Sequence, residues 1–354
     1  MHTDTLPSNY DFLEDALKHD FGDVHCLTDR NTGMRAIIAI HNTQLGPSLG
    51  GCRFIPYVNS NEALYDALRL ARGMSYKAAS VDLPLGGGKA VIMQPQTPYD
   101  REGYFHAFGK FVQSLNGRYI TALDSGTTLQ DMDIIGQHTS YVASLSSTQG
   151  DPSPSTAMGV FRGIQALVKH KLHKSSLKGL HVAIQGLGHV GFLLAQHLHE
   201  AGAKLTVADI NPQLTQRAAQ SFNAEIVPTN TIHRVACDVF SPCALGGIFN
   251  DDSIPELQAP ILAGAANNQL AHRRHGYALL ERGITYAVDY IINAGGLIFA
   301  ASKYLQYSNQ ELDARVYALY DKVLKITELA EEDHLPPHVI ADQQAEIKLG
   351  LRAS

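Results

Sequence analysis

Lys89 directly follows three consecutive glycines, residues 86–88, in LPLGGGKAV. Each glycine loses extra backbone entropy on folding, so such a run marks a place where backbone must approach something closely. A lysine at its end is placed to meet a ligand. Lys77, in GMSYKAA, ends an amphipathic stretch, and periodicity alone reads it as a solvated surface charge. Asp124 closes the apolar run YITAL. An acid there either faces a ligand or caps a turn, and both readings stand. GGCRF (50–54) is a second close-approach loop, and AGAANNQL (263–270) offers Asn267 and Asn268 as amide donors or as caps of the next helix.

The segment Gly186-Leu187-Gly188-His189-Val190-Gly191 fits G-x-G-x-x-G. The pattern is weak alone, but here it follows the β-branched run LHVAIQG (180–186) and opens a helical stretch from about 189 to 201. The first glycine permits a tight turn, the second admits a pyrophosphate, and the third lets helix and strand pack closely. The helix N-terminus turns free N–H groups toward the phosphates. Asp209 closes the next strand, KLTVAD, roughly 20 residues on, where a carboxylate binds ribose hydroxyls. It would repel a 2′-phosphate, so NAD is the expected cofactor.

The chain has 354 residues, 45% of them hydrophobic and 18% charged, with a net charge of −6. That length favours two domains, and the charge suggests neither a nucleic-acid nor a membrane-surface binder. No apolar run reaches the ~18 residues of a membrane span. The opening MHTDTLPSNYDF lacks a signal-peptide pattern, so a cytoplasmic protein is expected. Cys26, Cys52, Cys237 and Cys243 are scattered and read as free, buried thiols. The histidines show no metal-ligand spacing, and His272 and His275 read as an exposed helix face.

From about 150 onward, apolar strands alternate with helices: 180–186, 204–209, 224–227, 237–240, 260–264 and 284–289, with helices such as 212–221 and 269–282 between. Strands so uniformly apolar suit a parallel sheet covered on both faces. The first 145 residues differ, with strands at 34–41, 89–94 and 118–123. A helix over 61–80 has Ala63, Leu64, Ala67, Leu68, Ala71 and Met74 on one face. Between the halves, DPSPSTAMG (151–159) reads as a joint, with Ser155 or Thr156 capping the next helix.

Together, LGPSLGGCRF, GMSYKAA, LPLGGGKAVI, TALDSGTT, DPSPSTAMGV, VAIQGLGHVG, SPCALGG, AGAANNQL and INAGGLIFA resemble, in order, the glutamate/leucine/phenylalanine/valine dehydrogenase family, and within it the leucine and phenylalanine branch. The resemblance implies an α/β chain of two domains separated by a cleft. An N-terminal α/β substrate-binding and oligomerisation domain would take residues 1–147, and a Rossmann-type dinucleotide-binding domain 148–327. A tail, about 328–354, can return to the first domain. Lys77, helped by Asn268, would hold the substrate α-carboxylate. Lys89 would activate the water that attacks the imine, and Asp124 would shuttle protons on the amino nitrogen. Backbone at Gly50 and Gly51 would line the substrate site. Thr156 would touch the nicotinamide end, and Asn267 is assigned to the cofactor. A homo-oligomer is implied, and no metal.

The chemistry is consistent with those roles. Oxidation needs a neutral amine, and the next step needs a base for water. A lysine ordinarily titrates near about 10.4, too high for that task. A nearby cation and exclusion of water lower it. Glutamate-specific relatives carry a lysine where Leu49 stands, so glutamate is disfavoured. The side-chain pocket would be lined by Leu49, Ala122, Leu297 and Ala300, a mixture of branched-chain and aromatic patterns. One or two methylenes discriminate by only ~1–3 kcal/mol. Leucine, valine and isoleucine are expected, with phenylalanine or another aromatic as the alternative. A retired enzyme that binds NAD or an amino acid is a further alternative, opposed by the presence of Lys77, Lys89 and Asp124.

Overall fold

The computed structural model describes residues 11–147 and 150–353. The joint expected between 147 and 148 touches residues outside that range. The chain divides into two compact units. One holds residues to Gly150, Ala300–Gln306 and those from Ala345 on; the other holds Asp151–Phe299 and Tyr307–Gln344. The tail is therefore shared: only its last residues group with the first unit.

The first unit runs α1 (Phe12–Lys18), β1 (Asp23–Thr28), β2 (Arg35–Asn42), β3 (Ser48–Ile55), α2 (Ser60–Ser80), β4 (Gly86–Met93), α3 (Arg101–Ser114), β5 (Tyr119–Leu123) and α4 (Leu129–Gly136). Its sheet has the order β1-β2-β4-β3-β5. The β1–β2 and β2–β4 pairs are antiparallel, and β3 is parallel to both β4 and β5. Side chains alternate across this sheet as the pleat requires. Ile38, Ile40, Phe54 and Ile92 pack with Phe105, Phe108 and Val112 of α3. Ile37, Ala39, Val91 and Met93 pack on the other face with Ala63, Leu64, Ala67, Leu68 and Ala71 of α2. Each buried aliphatic of this kind stabilises by roughly 1.5–3 kcal/mol. The expected α2 face is present, except that Met74 is only half-buried.

Two glycine-rich segments expected as loops are inner strands instead. LGPSLGGCRF supplies β3, and the glycine run opens β4. What those glycines admit is the chain's own backbone. A Cβ on Gly87 would lie 2.0 Å from the Ser75 amide nitrogen of α2, and one on Gly86 would lie 1.9 Å from the Asn42 carbonyl oxygen.

The second unit begins with α5 (Ser153–Leu172), then β6 (His181–Gln185), α6 (His189–Glu200), β7 (Lys204–Ala208), α7 (Pro212–Phe222), β8 (Glu225–Ile226), β9 (Val239–Pro242), β10 (Ile261–Leu262), α8 (Arg274–Glu281), β11 (Thr285–Tyr286) and α9 (Asp289–Ile292). The helices α10 (Gly295–Tyr304), α11 (Asn309–Tyr317), α12 (Leu319–Glu332) and α13 (Pro337–Lys348) follow. The sheet order is β11-β10-β9-β6-β7-β8, with every pair parallel. This is the doubly covered Rossmann-type sheet that the apolar strands implied.

Three local expectations are corrected. α5 starts at Ser153 without a side-chain cap, so neither Ser155 nor Thr156 caps it; Asp151 Oδ1 accepts from the Ser153 amide (2.8 Å), and Thr156 Oγ1 donates to the Pro152 carbonyl (3.1 Å). His275 is only 1% exposed; its Nδ1 accepts from the His272 amide (2.9 Å), while His272 is exposed as expected. Cys52 is buried, but Cys26 is exposed. No described helix is long and apolar enough to cross a membrane.

Candidate active site

Lys89 and Asp124, 35 residues apart, meet in the first unit: Lys89 Nζ donates to Asp124 Oδ2. Strand register makes the meeting. β3 lies between β4 and β5, with Leu49 opposite both Gly87 and Ile120, and Gly51 opposite Ala122. Lys89 alternates with Val91 and Met93, so it stands on the face turned to α2 and is 6% exposed. Asp124 follows β5, where its amide donates to Thr127 Oγ1 (3.0 Å) and Thr127 Oγ1 reaches the Cys52 carbonyl (3.1 Å). Glycine is required next to it, because a Cβ on Gly51 would lie 2.7 Å from Asp124 Cβ. A Cβ on Gly50 would lie 1.7 Å from the Gly88 carbonyl oxygen. Tyr119 O–H donates to the Gly50 carbonyl (2.7 Å) and pins the strand.

The electrostatics of this pair are unequal. Burial is the largest influence and, with the Arg53 charge, holds Lys89 below the ordinary lysine range against the Asp124 carboxylate, which raises it. Burial raises Asp124, but Lys89, the Ser125 amide and Arg53 together hold it below the usual carboxylate range. Both members of the pair are thus shifted downward from their ordinary ranges.

Leu49 and Ala122 are buried in β3 and β5. Lys77 lies half-buried near the end of α2, two residues after Ser75, which packs on Gly87. Leu297 and Ala300 stand three residues apart on α10. The three-residue AGG of INAGG also packs tightly: a Cβ on Gly295 would lie 2.0 Å from the Ser155 carbonyl oxygen, and one on Gly296 would lie 3.0 Å from Thr156 Oγ1.

In the second unit, the chain turns after β6 at Gly186, whose φ of +95° favours glycine. A Cβ on Gly191 would lie 2.0 Å from the Gly186 carbonyl oxygen, so the first turn of α6 closes on the strand end. A Cβ on Gly188, the N-cap of α6, would meet nothing within 4 Å. Open space stands over the middle glycine where a pyrophosphate fits, with exposed His189 and half-buried Val190 starting the helix. Asp209 Oδ2 accepts from the Leu187 amide (2.6 Å) and Oδ1 from the Asn211 amide (2.8 Å). The carboxylate is held at the edge of the turn, as ribose recognition requires, so these residues fit a dinucleotide.

The nearby segment 263–270 is organised by side chains the sequence reading passed over. Gln269 donates to the carbonyls of Gly264 (2.8 Å) and Ala266 (2.9 Å). Asn293 Nδ2 donates to the Ala265 carbonyl (3.1 Å) and to Asn267 Oδ1 (2.8 Å). Asp289 accepts from the Gln269 amide (3.1 Å). Asn268 adopts a φ of +50° and is exposed. Asn267 is therefore oriented rather than free to act as a cap. Asn293 and Arg53 were visible within the INAGG and GGCRF blocks, but their partners are too distant in sequence for spacing to reveal. Among the described residues, no group of three or more His, Cys, Asp or Glu could hold a metal ion.

Comparison with known proteins shows the family. Residues 20–141 match the family described as Glu/Leu/Phe/Val dehydrogenase, dimerisation domain. Residues 150–217 and 206–334 match Glutamate/Leucine/Phenylalanine/Valine dehydrogenase. The leucine dehydrogenase of Geobacillus stearothermophilus is 49% identical over 334 residues, covering 94% of this chain and 91% of that protein. The valine dehydrogenase of Streptomyces virginiae is 42% identical over 327 residues, covering 91% of each. The crystal structure of L-tryptophan dehydrogenase from Nostoc punctiforme superposes with a TM-score of 0.88 at 42% identity, covering 96% of this chain and 98% of that one. With the fold, the glycine turn and the lysine–aspartate pair in place, the chain belongs to the glutamate/leucine/phenylalanine/valine dehydrogenase family and is an amino acid dehydrogenase.

Proposed function

We propose that the protein catalyses the reversible NAD-dependent oxidative deamination of branched-chain L-amino acids, giving the 2-oxo acid and ammonia. The observation that carries this reading is the contact between buried Lys89 on β4 and half-buried Asp124 just after β5. Buried Leu49 on the neighbouring β3 supports an apolar side chain, because a second substrate carboxylate there would lose hydration without a cation. The relatives named leucine and valine dehydrogenase support the same substrate class.

In this reading Lys77 holds the α-carboxylate and the backbone of Gly50 and Gly51 lines the site. Asp124 takes the proton that leaves the amino nitrogen, so that the amine reacts neutral. NAD, when bound, supplies the hydride acceptor. Lys89 Nζ then takes a proton from the water that attacks the imine carbon, and Asp124 returns a proton to the departing ammonia. Burial lowers the Lys89 pKa from its ordinary range, the direction that role requires. Gly186, Leu187, Gly188, His189, Val190, Gly191 and Asp209 hold the dinucleotide, with Thr156 and Asn267 toward its nicotinamide end. Ala122, Leu297 and Ala300 set side-chain size with Leu49, and Asn268 assists at the carboxylate. The protein works as a homo-oligomer, a reading supported by the dimerisation description of residues 20–141.

The test is a rate panel run on the protein and on Asp209→Ala. Ammonia and NADH are supplied with 2-oxoisocaproate, phenylpyruvate, indolepyruvate and 2-oxoglutarate, and each rate is repeated with NADPH. The protein should favour 2-oxoisocaproate and NADH, and Asp209→Ala should lose most of its preference for NADH. Faster turnover of phenylpyruvate or indolepyruvate would replace the branched-chain reading with the aromatic one, which the L-tryptophan dehydrogenase relative favours. An unchanged cofactor preference would remove Asp209 from the assignment.

A further inference from the structure

Arg53 stands behind the lysine–aspartate pair. It projects from β3 beside Asp124, with Nε 3.5 Å from Asp124 Oδ2. Its other end is tied down: Nη1 donates to Asp66 Oδ2 (2.7 Å) on α2. Asp66 is itself held by Tyr57 O–H (2.7 Å) and by Arg69 Nη2 (3.1 Å). The Arg53 Nε is buried and makes no hydrogen bond, although a carboxylate lies just beyond reach. A guanidinium cannot shed its charge in a protein, so a permanent cation stands beside the same Asp124 oxygen, Oδ2, that Lys89 contacts.

That placement answers a difficulty in the reaction. A lysine paired to a buried carboxylate is a poor base, because losing its proton would strand the carboxylate without a counter-charge. Resting on the assignment of Lys89 and Asp124 above, we infer that Arg53, clamped by Asp66, is a positioning residue for the pair: it gives Asp124 a second cation, so that Lys89 can lose its proton while the carboxylate remains compensated. The other groups around the pair fit this scheme. Asp124 and Tyr119 come from β5 and its end, Cys52 and Arg53 from β3, and Asp66 from α2, with Lys77 further along that helix. Tyr119 and Cys52 are fully buried, with burial raising both well above their ordinary ranges, so they remain neutral. Among these neighbours Arg53 lowers Lys89 and Asp66 raises it. Burial and Asp124 itself act most strongly on Lys89, and how the Arg53 charge is shared between Asp66 and Asp124 adjusts it further.

The two partners should consequently act in opposite directions. In Arg53→Met, the acid limb of the kcat/KM profile for deamination should move to higher pH by about 1 unit, because Lys89 then holds its proton more tightly. In Asp66→Asn, the uncompensated guanidinium should move the limb to lower pH. Arg53→Lys keeps a cation and should hold the limb near its original position. The substrate ammonium titrates identically in every case, so it cancels from the comparison. A residue that merely supports the fold would lower activity without moving either the limb or the titration of Lys89, and a limb that moves the same way in both variants overturns the inference. Should Arg53→Met fail to fold, Asp66→Asn and Arg53→Lys still decide. A second measurement separates this inference from the catalytic assignment it rests on. Carbamylation of Lys89 by cyanate, followed by peptide mass spectrometry against pH, reports the lysine itself. A carbamylation midpoint that shifts while the activity limb does not would retain Arg53 as the tuning charge and remove Lys89 as the base. An unmoved midpoint would overturn the role of Arg53.

Discussion

Lys89→Ala is expected to lose turnover by roughly 10²–10⁴-fold, the range for removing a positioned general base, while keeping its native circular dichroism spectrum. The loss should fall on kcat in both directions, because in the proposed mechanism the same Nζ accepts the proton of water in deamination and returns it in amination. The fold should survive because Asp124 is not left alone: Arg53 Nε remains 3.5 Å from its carboxylate. Removing one partner of a buried pair is severe when the remaining charge has no other counter-ion. Here it has one. Turnover within tenfold of the original protein would contradict the role of Lys89, whatever happened to KM.

Gly50→Ala should have the largest effect on stability. The new Cβ would sit 1.7 Å from the Gly88 carbonyl oxygen and 2.4 Å from its carbon. Those atoms are backbone in the neighbouring inner strand, so no rotamer change relieves the overlap. β3 and β4 must separate, and the ladder that brings Lys89 toward Asp124 goes with them. Overpacking of this kind costs about 3 kcal/mol or more, which for a domain of this size lowers Tm by about 6–12 °C. Gly73→Ala is the control. Gly73 lies inside α2, and a Cβ there meets nothing within 4 Å. That change should stabilise by about 0.5–1 kcal/mol. A Gly50→Ala protein that melts with the original would show that β3 and β4 are not packed as described.

The same pair of strands shows where sequence reading succeeds and where it stops. Three glycines before Lys89 signalled a close approach, and a close approach exists. The identity of the approaching group was not legible, because Ser75 and Asn42 reach Gly87 and Gly86 only through the tertiary fold. GGCRF reads as a loop because two glycines and an arginine interrupt any alternating pattern. It forms an inner strand because β4 and β5 supply its ladder on both sides. The dinucleotide turn was legible because its determinants are local: strand, glycine spacing and helix start lie within a dozen residues. α3 passed unread although its signals were present. Asp100 caps it, and Tyr104, Phe105, Phe108 and Val112 form one apolar face. His275 was misplaced because AHRRH is polar in sequence, whereas its neighbour Gly276 packs directly against the His338 ring and helps enclose it. Lys89 and Asp124 could each be singled out from local context. Their contact, and the Arg53–Asp66 clamp behind it, required strand register across three segments.

The most direct test of the central claim is a product balance. The protein is incubated with L-leucine and NAD, and NADH and ammonia are measured in the same sample. One ammonia released for each NADH formed, with the 2-oxo acid as the carbon product, is the expected result. NADH formed without ammonia, or no NADH from any branched-chain L-amino acid, would contradict it.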